Sequence, residues 1–365
     1  MVKGIYIYQE VDAGNDNVEI VSKYNESKKI KEEDLLNPLN LTNYLKGKNI
    51  NIFEDFELQE LIGKGRDSYV YRTLVKKNGR ITCVKLSKRE KCVKRNMKEL
   101  EISKKLRNKN IINTIGASSI IKNELDLIMM EYARNGNLRD FQMNLIRRKT
   151  LSESLLCYIS RQILEGLKYM HMSKIAHFDL KPQNIIIDDY LNAKIIDFSV
   201  SLDYSKIQSK TIKLPFRGTN FYISPEVIKE DKINVSDLNK IDLYSLGVIL
   251  HKFAFNFYPY DLSSDDSQNY DKIYNKIMKE WEVKDVSSKY SSYFIDFLNK
   301  LLEKDINKRI NINEALNHYW IKGSNILFDE KEKLCNANIF LSSLITDHFK
   351  DFNIYMKSES QFFTI

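Results

Sequence analysis

The chain has 365 residues, of which 43% are hydrophobic and 29% charged, so it can form one large or two small globular units with packed cores. No apolar run is long enough to span a bilayer and no hydrophobic signal region follows the first residues, so we expect a cytoplasmic protein with nuclear access left open. The formal net charge of +8 fits an acidic partner as well as a lysine-rich surface, and the four scattered cysteines predict free thiols without a metal site.

Residues 1–55 are predicted to form an N-terminal extension. Two partly alternating segments, 4–11 and 17–24, flank Gly14-Asn15-Asp16, a pattern that permits a β-hairpin. The polar and charged residues 26–36 are typical of a linker or a surface helix. Beyond the extension we find no internal repeat and no long Pro/Gly/Ser linker that would divide the chain.

From residue 56 onward the pattern predicts β-strands. Three strands are predicted over residues 56–62, 69–75 and 80–86, and a fourth over residues 125–130. Asn78-Gly79 joins the second and third strands, and both of its residues tolerate the positive φ that a tight hairpin needs.

A basic helix is predicted between the third and fourth strands, with Val93, Met97 and Leu100 on its buried face. The cations around it are either a docking face for an acidic protein or membrane lipid, or the exposed side of an amphipathic helix, and we favour the second interpretation. They are Lys88, Arg89, Lys91, Lys94, Arg95, Lys98, Lys104, Lys105, Arg107 and Lys109.

The second half of the chain is predicted to be mainly helical. Its first helix has apolar residues at helical spacing: Leu156, Ile159, Ile163, Leu167 and Met170. A short strand pair over 185–187 and 193–196 follows, and further helices are predicted over 242–255, 271–281, 292–302 and 313–320. Strands followed by helices predict an α+β fold with a small β-rich lobe, a larger α-helical lobe and a ligand cleft between them.

The first two predicted strands are joined by a loop that contains two glycines. Gly63 and Gly65 allow the backbone to approach phosphate oxygens closely, although two glycines between strands also fit a plain turn. Lys85 ends the third predicted strand, where it can hold phosphates in a cleft. Glu99 and Glu101 on the next helix are both candidate partners for its charge.

The segment His177-Phe178-Asp179-Leu180-Lys181-Pro182-Gln183-Asn184, followed by Asp197-Phe198-Ser199, carries the most specific pattern. Phosphoryl transfer needs positioning and charge neutralisation more than covalent chemistry. Asp179 can orient an attacking hydroxyl, and Lys181 can balance charge on the transferred group. Asn184 and Asp197 supply the oxygen ligands that Mg²⁺ prefers.

With these motifs, residues 56–322 resemble the catalytic domain of the eukaryotic protein kinases, in the serine/threonine class. The resemblance implies a bilobal kinase fold, with a small lobe over 56–132, a large lobe over 133–322 and an ATP cleft between them. Residues 323–365 are expected to be a helical tail packed on the large lobe. The resemblance also implies ATP and Mg²⁺ as cofactors, protein substrates with Ser/Thr acceptors, no nucleic-acid partner, and a monomer.

The resemblance assigns roles to individual residues. It makes Asp179 the base, Lys181 its companion, and Asn184 and Asp197 the metal ligands; Lys85 then pairs with Glu99 in preference to Glu101. Met130 is implied as the gatekeeper, with the backbones of Glu131 and Ala133 bonding adenine and the side chains of Val70, Cys83 and Ile186 enclosing its ring. The full set expected to bind ATP is Ile62, Gly63, Lys64, Gly65, Val70, Cys83, Lys85, Met130, Glu131, Ala133, Ile186 and Asp197.

The later part of the domain agrees with the resemblance. The segment 218–226 is similar to the end of a kinase activation segment, in which Thr219 is expected to bond near Asp179 and Lys181. Asp242 is expected to steady the catalytic loop, and Arg309 to pair with Glu226. Lys181 and Thr219 together indicate serine/threonine specificity.

Three departures from the family pattern stand out. Asp67 and Ser68 replace an aromatic residue and the third glycine of the loop, and Ser199 replaces a glycine, so both segments are expected to be stiffer. Phe178 stands where many members have an arginine that contacts a phosphorylated activation loop. We therefore expect activity to be independent of phosphorylation at Ser201, Tyr204, Ser205, Ser209 and Thr211.

Two other functions fit parts of the sequence. A binding-only scaffold with a kinase fold would explain the three departures, but it would not need the complete set of catalytic groups. A small-molecule kinase would share the two aspartates and the asparagine, but such enzymes generally lack Lys181 and the 218–226 segment.

Overall fold

The computed structural model describes residues 6–7, 35–47, 55–65, 67–88, 93–121, 125–148, 151–260, 269–279 and 290–322. Most of the hairpin predicted within residues 4–24, and the whole tail predicted over 323–365, lie outside these ranges. None of the helices in the described ranges has the length and apolar character needed to cross a membrane.

The small lobe is built on one antiparallel sheet in the order β1-β5-β6-β4-β3-β2. Its strands are β1 (Tyr6–Ile7), β2 (Phe56–Lys64), β3 (Ser68–Val75), β4 (Arg80–Lys88), β5 (Thr114–Ile121) and β6 (Leu125–Glu131). The predicted hairpin between β3 and β4 is confirmed, with Gly79 at φ 69° and pairing that runs from Val75↔Arg80 to Ser68↔Ser87. The strand β5 was not predicted, because its Gly-Ala-Ser-Ser centre has low intrinsic strand preference.

Helix α1 (Pro38–Gly47) covers the small-lobe sheet and was also not predicted. Leu35, Leu41 and Leu45 are fully buried in the same apolar cluster as strand residues such as Tyr71 and Met129. The Tyr71 hydroxyl donates to the Leu35 carbonyl, which ties the segment before the helix to the sheet. Part of the segment predicted as an extension is therefore an integral layer of the lobe.

Helix α2 (Val93–Lys105) follows β4, as predicted. The buried positions are Glu99, Ile102, Ser103 and, just after the helix, Leu106, whereas Leu100 is only partly buried. The side chains of Val93 and Met97 lie outside the described part of the structure. The inward position of Glu99, expected from its candidate pairing with Lys85, is confirmed.

The large lobe contains the remaining elements. The helices with described bounds are α3 (Leu138–Arg148), α4 (Glu153–Met172), α5 (Pro225–Ile228), α6 (Asn239–Phe255), α7 (Tyr270–Met278), α8 (Ser292–Leu301) and α9 (Ile312–Asn317). The short strands are β7 (Ile175–Ala176), β8 (Ile185–Ile187), β9 (Ala193–Ile195), β10 (Leu202–Asp203), β11 (Thr211–Lys213) and β12 (Lys232–Asn234), paired as β7–β10, β8–β9 and β11–β12. Helix α3 was not predicted; the other long helices were.

Local sequence explains where these helices begin. Ser152, Asn269 and Ser291 accept hydrogen bonds from the first turns of α4, α7 and α8. Asn311 forms a reciprocal capping box with Glu314 at the start of α9.

The predicted stripe on α4 is confirmed, since its five apolar residues are at most 1% exposed. Helix α6 is buried on nearly every side and forms the centre of the large core. That core and the small-lobe cluster are separate. The protein is therefore a bilobal α+β structure with its cleft where the lobes meet.

Candidate active site

The loop between β2 and β3 closes tightly. The N–H of Gly65 donates to the Ser68 carbonyl at 2.8 Å, and Gly63 pairs with Val70 across the sheet. A Cβ on Gly65 would lie 2.7 Å from Ser68 Oγ, whereas one on Gly63 would make only ordinary contacts with Val70. A side chain at position 65 would therefore force the Ser68 hydroxyl to rotate away. Ile62 and Lys64 flank the turn as the sequence placed them, and Ile62 is exposed.

Lys85 lies between carboxylates from the two lobes. Its Nζ is 2.6 Å from Glu99 Oε1 on α2 and 3.2 Å from Asp197 Oδ1 in the large lobe. Of the two candidate glutamates, Glu99 makes the contact and Glu101 is exposed. Helix α2 therefore stands in the position that links the lobes through Lys85.

These contacts keep Lys85 and Asp197 charged. Burial alone would lower the pKa of Lys85, but the charges of Glu99 and Asp197 raise it above its usual value. Burial alone would raise the pKa of Asp197, but Lys85 and a hydrogen bond from Ser199 bring it well below the usual range. The ammonium can thus bind phosphate and the Asp197 carboxylate can bind a cation.

Asp179 is at the centre of a hydrogen-bond network. Thr219 Oγ1 donates to its Oδ1 at 2.6 Å, and Lys181 Nζ lies 2.7 Å from its Oδ2 and 2.8 Å from Thr219 Oγ1. Asn184 Nδ2 donates to the Asp179 carbonyl at 2.8 Å and to Oδ2 at 3.1 Å. Since the amide nitrogen of Asn184 is used on Asp179, its amide oxygen is the group that can bind a cation.

Asp242 holds the loop that carries Asp179. Its carboxylate is fully buried and accepts from the backbone N–H of His177 and of Phe178, each at 2.9 Å. His171 Nε2 lies 2.9 Å from the same carboxylate. Burial alone would raise the pKa of Asp242, but these hydrogen bonds and the histidines lower it. Phe178, at φ 65°, turns the chain so that Asp179 reaches the cleft.

Val70, Cys83 and Lys85 lie on one face of the small-lobe sheet. In the β3–β4 pairing Val70 is opposite Lys85 and Arg72 is opposite Cys83, so these side chains share one face of the sheet. Cys83 is also opposite Met130 on β6, and Ile186 lies on β8 in the large lobe. Burial raises the pKa of the Cys83 thiol to about 12, so it is a neutral apolar wall.

The segment after β6 offers backbone groups to a ligand. The N–H of Glu131 donates to the Asn113 carbonyl, and the Ala133 carbonyl accepts from the N–H of Gly136. Within the described ranges the N–H of Ala133 donates to no protein group, so it is available to a bound base. The Glu131 side chain is held by Lys194 Nζ at 3.0 Å and by the N–H of Asn113 at 2.8 Å.

The contacts of Lys194, Asn113 and His171 were missed from the sequence, because nothing local pairs them with residues so far away along the chain. The Glu226–Arg309 contact was expected: the fully buried guanidinium donates to both carboxylate oxygens, at 2.7 and 3.1 Å. It fixes the segment that follows Thr219 against the end of the large lobe.

The site offers few oxygen donors that could hold a metal ion. No group of three His, Cys, Asp or Glu side chains suited to a metal occurs in the described ranges. One carboxylate from Asp197 and one amide oxygen from Asn184 instead match Mg²⁺, which is commonly held by few protein ligands together with substrate phosphates.

Comparison with known proteins agrees with this geometry. The sequence profile of the family described as "Protein kinase domain" matches residues 56–321. A "Serine/threonine-protein kinase pakH" of Dictyostelium discoideum is 32% identical over 74% of this chain and 50% of its own length. "Serine/threonine-protein kinase RAD53" of Saccharomyces cerevisiae is 32% identical over 75% of this chain and 34% of its own. "Death-associated protein kinase 2" of Homo sapiens is 31% identical over 57% and 54%. The chain thus corresponds to about half, or less, of each of these relatives.

Proposed function

The chain belongs to the protein kinase domain family, and on that premise we propose that it transfers the γ-phosphoryl group of ATP to serine and threonine hydroxyls of proteins. The observation that carries the proposal is the network in which Thr219 and Lys181 both contact the Asp179 carboxylate. This network joins the catalytic loop to the segment that would receive an acceptor peptide. Two of the relatives named above are serine/threonine-protein kinases by name, and the third is named a protein kinase.

Asp179 is proposed to orient the acceptor hydroxyl and accept its proton. Its Oδ1 accepts one hydrogen bond, from Thr219, and a carboxylate oxygen has two lone pairs, so one remains for the incoming hydroxyl. Lys181 would balance the negative charge on the transferred group from the other side of Asp179. Thr219 fixes the rotation of the carboxylate, which is how positioning lowers the barrier.

The nucleotide is proposed to lie between the sheet and β8. Lys85 would hold its phosphates, Val70, Cys83, Met130 and Ile186 would enclose the base, and the N–H of Ala133 would donate to it. Asp197 and Asn184 would hold Mg²⁺, which when bound supplies charge neutralisation on the phosphates. The kinase domain is proposed to span 56–322, with residues 35–47 as an added layer of its small lobe.

We further propose that activity does not require phosphorylation of the activation segment. Arg217 supports this: its guanidinium lies 5.3 Å from the centre of the Phe178 ring, and its Nη1 donates to the Val200 carbonyl at 3.0 Å. Arg217, from the activation segment itself, thus places its positive charge against the ring of Phe178, the residue that stands where many family members have arginine. Gly218, at φ 109°, brings the backbone so close that a Cβ would lie 2.5 Å from the Phe178 carbonyl.

Two of the five candidate phosphorylation sites are buried and donate to backbone carbonyls. Ser201 is fully buried and donates to the His177 carbonyl, and the buried Tyr204 donates to the His171 carbonyl. Burial raises the pKa of Tyr204 to about 12. A triple alanine variant at Ser205, Ser209 and Thr211 should therefore keep turnover within about twofold of wild type; a collapse of activity would refute the independence.

Phosphate transfer from labelled ATP with Mg²⁺ to mixed protein substrates tests the main proposal, with phosphoamino-acid analysis of the products. Label on serine or threonine, lost in the Asp179→Asn variant, is the expected result. Label on tyrosine would overturn the acceptor class. Intact ATP binding without any transfer would favour the binding-only scaffold.

A further inference from the structure

Two cations meet where α3 and α6 pack together. Arg139 is in the first turn of α3 and Lys252 in the last turn of α6. Gln142 joins the two helices, since its Nε2 donates to the carbonyls of Lys252 and Phe253 at 2.8 and 3.1 Å. The pKa of Lys252 is lowered, first by partial burial and then by the charge of Arg139. We call this pair the Arg139–Lys252 patch.

Aromatic rings connect the patch to the catalytic network. Lys252 Nζ lies 4.4 Å from the centre of the Tyr258 ring, and that ring stacks on Phe221 with centroids 5.0 Å apart. Phe221 is two residues after Thr219, which bonds to Asp179. The Tyr260 hydroxyl donates to the Phe221 carbonyl at 2.7 Å and fixes its position. A peptide bound beside Thr219 would therefore lie near the patch.

The patch has no acidic counter-charge in the described part of the structure. Neither Arg139 nor Lys252 forms an ion pair there, and the neighbouring Asp140 carboxylate accepts instead from Asn137 Nδ2 at 2.6 Å. Elsewhere, Lys229 makes the same kind of contact, 4.4 Å from the Tyr274 ring, but it is paired with Asp271 at 3.1 Å. Two neighbouring cations disfavour each other, and an external carboxylate would relieve that repulsion.

We propose that Arg139 and Lys252 select acceptor peptides that carry acidic side chains within a few residues of the phosphorylated hydroxyl. The inference rests on the proposed phosphoryl transfer and names its substrate class. Charge complementarity would favour acidic peptides, and the same cations would repel peptides with lysine or arginine at that position. Gln183, in the catalytic loop, is exposed and adds no carboxylate that would attract a basic peptide.

A peptide series tests the proposal. Each peptide has one serine in an alanine background, with a single aspartate, or a single lysine, moved through the flanking positions. For wild type we expect kcat/KM for the best aspartate peptide to exceed that of the alanine peptide by about tenfold, mainly through KM. The ratio of kcat/KM for the aspartate peptide to kcat/KM for the alanine peptide should decrease as the salt concentration increases, because salt screens exposed charges.

Variants then locate the effect. Lys252→Met and Arg139→Met should each lower kcat/KM for the aspartate peptide by about three- to fivefold, as expected for partly exposed ion pairs, and leave the alanine peptide within about twofold. Lys252→Glu should shift the preference toward the lysine peptide, a gain that misfolding cannot produce. Lys229→Met is the matched control, since it removes an equivalent cation–ring contact away from the patch and should change neither ratio.

The outcomes separate this inference from the proposal beneath it. Transfer to all peptides without an acidic preference, or equal effects of Lys252→Met and Lys229→Met, would overturn the inference alone. An absence of transfer to every peptide and protein would overturn the proposed function, and the inference with it.

Discussion

Helix α1 should contribute measurably to the stability of the small lobe. Leu41→Ala removes three buried carbon atoms, which at about 0.8 kcal/mol per buried CH₂ is about 2.4 kcal/mol. Incomplete collapse of the cavity should raise the loss in the free energy of unfolding to about 3–4 kcal/mol. The matched control is Leu39→Ala on the same helix, because Leu39 is 66% exposed and its loss should cost at most about 0.5 kcal/mol.

The free energy of unfolding of both variants is measured by urea unfolding, followed by circular dichroism. The two curves are fitted with the same dependence of free energy on urea concentration. The strands that pack against α1 carry Val70, Cys83 and Lys85 on their opposite face. Leu41→Ala should therefore also weaken ATP binding at urea concentrations just below the unfolding midpoint. Equal midpoints for Leu41→Ala and Leu39→Ala would refute the packing of α1 against the sheet.

Three further predictions follow from single contacts. Glu99→Gln removes the carboxylate that pairs with Lys85 and should lower kcat at least tenfold. Glu101→Gln alters an exposed side chain and should change kcat less than twofold; steady-state kinetics of the two variants measure both effects. Gly218→Ala should abolish most transfer while leaving ATP affinity, measured by calorimetry, near wild type, because a Cβ would meet the Phe178 carbonyl. Burial lowers the pKa of His251 from 6.5 to about 4, so protonation costs the folded state more than the unfolded state. Stability should therefore fall as the pH drops from 6.5 to 4, by up to about 2–3 kcal/mol, and His251→Gln should flatten that part of the urea-midpoint profile.

The long periodic elements and the contiguous motifs were predictable. The α4 stripe and the β3–β4 hairpin have strong local signals, since the residues involved are neighbours along the chain. The catalytic loop could be recognised because Asp179, Lys181 and Asn184 lie within one short segment. The contact between this loop and Thr219 was expected from the family resemblance. The distance of 2.6 Å between Thr219 Oγ1 and Asp179 Oδ1 could be obtained only from the structure.

Elements that depend on distant partners were missed. Leu41 and Leu45 are one helical turn apart, and Asn37 Oδ1 accepts hydrogen bonds from the N–H groups of Leu39 and Asn40 at the start of the helix. The surrounding polar composition hid this signal. Strand β5 is formed because β1 and β6 pair with it, a tertiary effect that outweighs local preference.

The same limit applies to the site. Spacing along the chain left both Glu99 and Glu101 open as partners of Lys85; the family resemblance favoured Glu99, and the fold buries that glutamate against Lys85. Arg217 stacking on Phe178 could not be read from the sequence either, since only the fold brings the two side chains together.

The most direct test of phosphoryl transfer through Asp179 is a single-turnover measurement on wild type and Asp179→Asn, with ATP affinity determined on the same samples. Asparagine keeps the shape of the side chain but removes the charge and most of the basicity. We predict a loss of at least a hundredfold in the transfer rate, in line with general-base contributions, with ATP affinity unchanged within about threefold. Equal transfer rates in the two proteins would contradict the account and place the catalytic chemistry on another residue.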